Sequence, residues 1–161
     1  MIYVGIDNGL YGAIAIYRKQ LEVYPIPLII KKVNKSEREF YDKELIKDIF
    51  LNVFFYDEPS IIVLEEAQPF HKEGATSSFK SGNQYGFMEG LLTGMGRKFN
   101  IISPKHWQKV FGISGKFGDT KVQAEKVVNN KYPLIKTRTE RGKLLDGICD
   151  AILMVEYAKM L

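Results

Sequence analysis

A continuous apolar run of strand length, SIIVLEE at residues 60–66, constrains this chain more than any other feature. A segment that shows no polar alternation over that length belongs between other strands, with both faces covered, as the inner strands of parallel and mixed sheets are. Its neighbours predict the cover. Residues 2–7 (IYVGID), 11–18 (YGAIAIYR) and 21–27 (LEVYPIP) are short β-branched and aromatic runs separated by Gly or Lys-Gln turns, which reads as a three-stranded meander. Residues 37–54 place Phe40, Leu45, Ile49 and Phe50 at roughly helical spacing among charged residues and predict the first helix. After the apolar run, a loop is expected through Pro69 and Gly74 to about Ser78, then a helix over 83–97 and a short strand over 99–103. Ser103 and Pro104 give a cap and an N1 proline for a short helix over 104–111. The loop GISGKFGD leads into the helix TKVQAEKVVNN, where Thr120 and Gln123 have capping-box spacing. A basic loop, KTRTERGK, precedes a last helix from about Leu144. The order β-β-β-α-β-α-β-α-α predicts an α/β architecture, a mixed sheet whose fourth strand returns in parallel after a helix.

One domain over residues 1–161 is long enough to bury a core without disulfides or metal staples. The apolar runs are too short for a membrane span and are bounded by carboxylates, and the N-terminal MIYVGIDNG lacks a secretion signal, so a cytoplasmic location without membrane attachment is expected. Cys149 is the only cysteine, which excludes an internal disulfide and a thiolate metal site and leaves it a core-packing role. A net charge of +4 and a pI near 9.0 suit an anionic partner.

The carboxylates carry the chemistry. Asp7 closes the first strand before an Asn8-Gly9 turn, so its side chain faces an open strand end. Glu65 ends the buried strand, where a carboxylate needs a positive partner. Asp146 and Asp150 are four apart at a helix start and share one face. Each alone has a structural alternative, such as a first-turn aspartate stabilised by the helix dipole. Together, two strand-end carboxylates and a helix pair are the oxygen donors that two hard cations take in phosphodiester cleavage. Glu66 competes with Glu65, because adjacent strand residues point to opposite faces; Glu65 directly follows the apolar run. His71 and His106 lie in no metal-ligand pattern, and His106 reads as a surface or DNA-facing residue.

GIDNGLYGAIA, VLEEAQPF and DGICDAILMVEYA resemble, in order and approximate spacing, the three acidic motifs of RuvC-type Holliday junction resolvases. GATSSFKSGNQYGFMEG followed by SPKHWQKVF resembles the resolvase-like proteins of bacteriophages, and FGISGKFGDTKVQA the family's lysine-bearing loop. The motifs span nearly the whole chain. The resemblance implies an RNase H-like fold with a mixed five-stranded sheet flanked by helices. It also implies Asp7, Glu65, Asp146 and Asp150 as catalytic metal ligands for two Mg2+, with Mn2+ as a substitute. A homodimer making paired symmetric nicks in four-way junctions, in DNA recombination and repair, follows from it too; a phage-encoded protein would act in the host cytoplasm. Bacterial members often space the last two acidic positions by three residues where this chain has four, which leaves open how Asp146 and Asp150 share the work.

DNA contacts are expected from Lys105, Lys109, Lys116, Lys121, Lys136, Arg138, Arg141 and Lys143, with Lys116 and Lys121 first because they match the family loop. Phe70 and Phe79 fall in a polar stretch, where an exposed aromatic is suited to stack on an unpaired base. Trp107 and Phe111 have the i, i+4 spacing of a packed helix face. Gly86, Gly90 and Gly94 leave one stripe of a helix without side chains, which predicts close approach of another helix from this chain or from a second subunit. GIDNGLYGAIA also resembles the first phosphate loop of actin-like and sugar-kinase-like ATPases, but those need two lobes and this chain has room for one. A flap or fork nuclease and a non-catalytic DNA-binding module are the remaining alternatives; the second predicts missing carboxylates, and all four are present.

Overall fold

A computed structural model describes residues 1–68 and 74–161. Strands β1 (Ile2–Asp7), β2 (Ala13–Tyr17) and β3 (Leu21–Pro25) form the expected meander. The hairpin of β4 (Leu28–Val33) and β5 (Ser36–Tyr41) follows, then α1 (Lys43–Val53), β6 (Ser60–Glu65) and α2 (Ala75–Gly94). The chain ends with β7 (Asn100–Ile102), α3 (Pro104–Val110), α4 (Thr120–Lys131) and α5 (Asp146–Ala158). The main sheet is mixed and five-stranded, in the order β3-β2-β1-β6-β7; β1, β6 and β7 run parallel, and β2 and β3 pair antiparallel. β6 is therefore an inner strand, with Ile62, Val63 and Leu64 buried, as its unbroken apolar run requires.

Two cores cover the sheet. On one face Val4, Ile6, Ile14 and Ile62 pack against Ile46 and Phe50 of α1 and Met88 and Leu92 of α2. On the other, Ala13, Ala15 and Val63 receive Trp107 of α3, Ala124 and Val128 of α4 and most of α5. Cys149 belongs to this second core, where burial pushes its thiol up to about 12. The small side chains on the second face let α5 lie directly on the strands. A Cβ added to Gly5 would come within 2.3 Å of the Ala151 carbonyl oxygen.

Three expectations are corrected. Residues 36–41 are a strand and α1 starts only at Lys43, where the Asp42 carboxylate caps the Leu45 N–H at 3.1 Å. Phe40, taken as the first apolar residue of the helix, faces Ile29 across the hairpin. α2 begins at Ala75 rather than near Asn83; its first two turns are exposed, so they carry no apolar periodicity to betray a helix. The cap of α4 is Asp119, whose carboxylate accepts the Lys121 N–H at 2.8 Å. Gln123 braces the preceding loop instead, donating to the Ser114 and Gly118 carbonyls at 2.9 and 3.1 Å and accepting the Ser114 N–H at 3.1 Å. Among the described residues no helix is long and apolar enough to cross a membrane.

Candidate active site

The carboxyl ends of β1 and β6 lie side by side, because the strands pair in parallel from Ile2 with Ser60 to Ile6 with Leu64. Asp7 and Glu65 therefore emerge together at one edge of the sheet. Asn8, itself buried, locks this edge by donating its side-chain N–H to the Glu65 carbonyl at 2.5 Å, and Tyr41 donates its hydroxyl to the Asn8 carbonyl from below. The amino end of α5 meets the same edge. Gly147 makes that possible, since a Cβ there would sit 2.5 Å from the Tyr11 carbonyl, 2.6 Å from the Gly12 Cα and 2.9 Å from an Asp7 carboxylate oxygen. A Cβ on Gly12 would likewise fall 2.2 Å from the Asp7 carbonyl. Gly12 and Gly147 thus bring Asp146 and Asp150 to Asp7. The sequence marked these glycines only as neighbours of acidic residues.

The four carboxylates sense one another. Withdrawal from water pushes Asp7 up to about 6 against the pull of the Gly9 N–H, which donates to its Oδ1 at 2.9 Å; Asp146 adds to the rise and Lys121 opposes it. Burial first, then the charge of Asp7, pushes Glu65 up to about 8. Trp107 works the other way, donating its indole N–H to Glu65 Oε1 at 2.9 Å. Asp150 is raised well above the usual carboxylate range by burial and by Asp7, Glu65 and Asp146 in turn, with Lys121 opposing. Glu66 stays outside, exposed and accepting from Gln68 at 2.6 Å. Adjacent residues on a strand face opposite ways, and the structure turns Glu65 toward Asp7.

Among the described residues one cation faces this group. Lys121 donates from Nζ to Asp146 Oδ2, and that bond together with the charges of Asp146, Asp150 and Asp119 holds its ammonium protonated. A lysine expected to grip phosphate thus stands on a carboxylate. Among the described residues, no three His, Cys, Asp or Glu side chains are drawn together tightly enough to clasp an ion as they stand. The donor chemistry nonetheless fits a divalent cation. Four carboxylates, three with raised proton affinity through crowding and burial, have Lys121 as their one counter-charge among the described residues, and oxygen-only donors select hard ions.

The other expected contacts divide by place. Lys116 is exposed on the short 3₁₀ turn Gly115–Phe117, before α4. Lys105 lines a groove with Lys109 and Phe117. Arg141 is exposed on the basic loop, and Lys143 from that loop places its ammonium 5.5 Å from the Tyr11 ring. Arg138 is exposed, and its guanidinium pairs with Glu125 through Nε at 2.6 Å and Nη2 at 2.5 Å, which pins the base of the loop. Phe79 is 76% exposed on α2. Phe70 and His71 lie outside the described residues. His106 sits edge-on to Tyr157, with ring centroids 5.9 Å apart, away from the carboxylates. Trp107 is fully buried, as its spacing predicts, and also holds Glu65, a second role that spacing does not reveal.

This sheet and its flanking helices form an RNase H-like fold, similar to that of RuvC structures. RuvC of Thermus thermophilus in complex with a Holliday junction superposes with a TM-score of 0.59 at 16% identity, covering 99% of this chain and 96% of that one. A second Thermus thermophilus RuvC structure gives 0.56 at 18% identity over the same shares. No protein-family model and no curated protein matches the sequence.

Proposed function

We propose that this chain is a divalent-metal-dependent endonuclease that resolves four-way DNA junctions. One observation carries the proposal: Asp7, Glu65, Asp146 and Asp150 converge at the edge where β1, β6 and the start of α5 meet, with Lys121 on Asp146. The RuvC fold supports it, since the similar structure of Thermus thermophilus binds a Holliday junction. The segments around GATSSFKSGNQYGFMEG favour a phage-like member.

In this proposal the four carboxylates hold two Mg2+, with Mn2+ able to substitute. When bound, such ions supply the Lewis acidity and positive charge that phosphodiester hydrolysis needs. The chain does the rest. Asp7 and Glu65 are fixed by the Gly9 N–H and the Trp107 indole, so their oxygens are aimed before any ion arrives. Lys121 neutralises Asp146 in the free protein and would be released to take a phosphate once a cation engages that carboxylate. Lys116, Lys105 and Arg141 take flanking phosphates, and Phe79 stacks on an unpaired base. Two copies pair through the bare glycine face of α2, giving two sites for paired nicks.

The test incubates the protein and an Asp7→Asn variant with labelled four-way junction, flap, fork and linear duplex in Mg2+. Preferential, paired cutting of the junction by the wild type and at least a hundredfold loss in the variant are expected. Equal cutting of flap and fork would make it a broader branched-DNA nuclease, no cutting would make it a binding module, and an active variant would exclude the metal site.

A further inference from the structure

The β4–β5 hairpin stands apart from the main sheet, and between it and the first half of α2 lies a cleft of about 430 Å3. Ile29 and Phe40 form its floor, Lys31 one wall, and Phe79, Lys80 and Asn83 the other. The hairpin register sets Lys31 directly opposite Arg38 on the face that carries Ile29 and Phe40. Like charges so placed destabilise a strand pair. Among the described residues neither meets a carboxylate, nor does Lys80.

The acidic residues around the cleft are already engaged. Glu39 accepts the Tyr11 hydroxyl at 2.5 Å, Asp42 caps α1, and Glu44 pairs with Lys47. Those carboxylates keep their charge but are each held by a donor of their own, whereas Lys31, its ammonium 6.0 Å from the Phe40 ring, Arg38 and Lys80 have no ion-pair partner among the described residues and stand beside an exposed aromatic ring and a polar amide. That combination fits a phosphate chain with a free base face, and the cleft is small for a double helix. The base of the hairpin is also tied to the catalytic edge: Tyr41 and Tyr11 join β5 to the loop that follows Asp7.

We propose that this cleft binds an unpaired stretch of the DNA strand whose phosphate lies at Asp7, with Lys31, Arg38 and Lys80 on its backbone and Phe79 under a base. This rests on the nuclease reading above. Binding is measured without cleavage, in EDTA, on a junction or flap carrying 2-aminopurine in its unpaired part and on a fully paired duplex. The variants are Lys31→Glu with Arg38→Glu, the milder Lys31→Gln with Arg38→Gln, and Phe79→Ala. A charge-matched pair at the far end of the sheet, Lys19→Glu with Lys98→Glu, is the control, and thermal melts verify folding. The cleft pair is expected to weaken binding to unpaired DNA at least tenfold and lower the salt slope by about 1.4, the single-strand value for two lost phosphate contacts. The control pair should change binding less than threefold, and Phe79→Ala should abolish the 2-aminopurine signal. Equal losses in cleft and control pairs, or equal losses on paired and unpaired DNA, would overturn the proposal. A wild type that binds unpaired DNA through the cleft but never cuts would refute the nuclease reading and leave the cleft standing.

Discussion

Trp107 joins the core to the chemistry. Its ring fills the second core and its N–H fixes a carboxylate that burial would otherwise leave without a donor. Trp107→Phe keeps most of the packing and removes the donor, at a stability cost of about 1 kcal/mol. Junction cutting is expected to fall ten- to a hundredfold through kcat with KM little changed, since the substrate does not touch the indole. A rise in KM at constant kcat would count against a positioning role. At this scale the sequence was informative where side-chain chemistry is local. Glu65 could be preferred over Glu66 because it directly follows the apolar run, and the strand's facing agrees. The Trp107 bond to Glu65 spans 42 residues and leaves no trace in spacing. Gly12 and Gly147 escaped notice for the same reason, because the backbone they accommodate comes from a distant segment.

Among the elements, α2 poses the clearest open contact. A Cβ at Gly82, Gly86, Gly90 or Gly94 meets nothing within 4 Å, so no described part of this chain explains the stripe. Of the two causes the sequence allowed, close approach within the chain is not seen among the described residues, and pairing with a second copy is the cause we propose. The wild type is expected to sediment at twice 18.4 kDa at micromolar concentration. Gly86→Leu with Gly90→Leu should shift it to the monomer while leaving the monomer's own fold intact, because leucine gains helix propensity of up to about 1 kcal/mol per site. A wild-type monomer, or an undisturbed dimer in the variant, would remove α2 from the interface. The elements missed in the sequence share a cause. The β4–β5 hairpin is held by its cross-strand register, and Phe40, Leu45, Ile49 and Phe50 mimic helical spacing across the real boundary at Asp42. Strongly periodic or continuous segments, such as β6 and α5, lie where their patterns put them.

For the whole molecule, the crowded carboxylates link stability to pH and to metal. Asp7 near 6, Glu65 near 8 and Asp150 well above its usual range all bind protons more tightly when folded than the roughly 4 of an unfolded carboxyl. Between those values the folded state carries the extra protons. Stability from these groups is therefore full below about pH 4 and is lost as pH rises through 6 and 8. The free protein should melt at a lower temperature at pH 8 than at pH 6. A divalent cation replaces the protons as counter-charge and binds only the folded state in this geometry, so Mg2+ should raise the melting temperature more at pH 8 than at pH 6. Asp7→Asn, which removes one of the repelling charges, should flatten the pH dependence of the metal-free protein and shrink the Mg2+ effect together. A melting temperature that rises from pH 6 to pH 8 in EDTA, or a Mg2+ shift equal at both, would mean that the carboxylates are relaxed apart in solution and do not form a shared ion site.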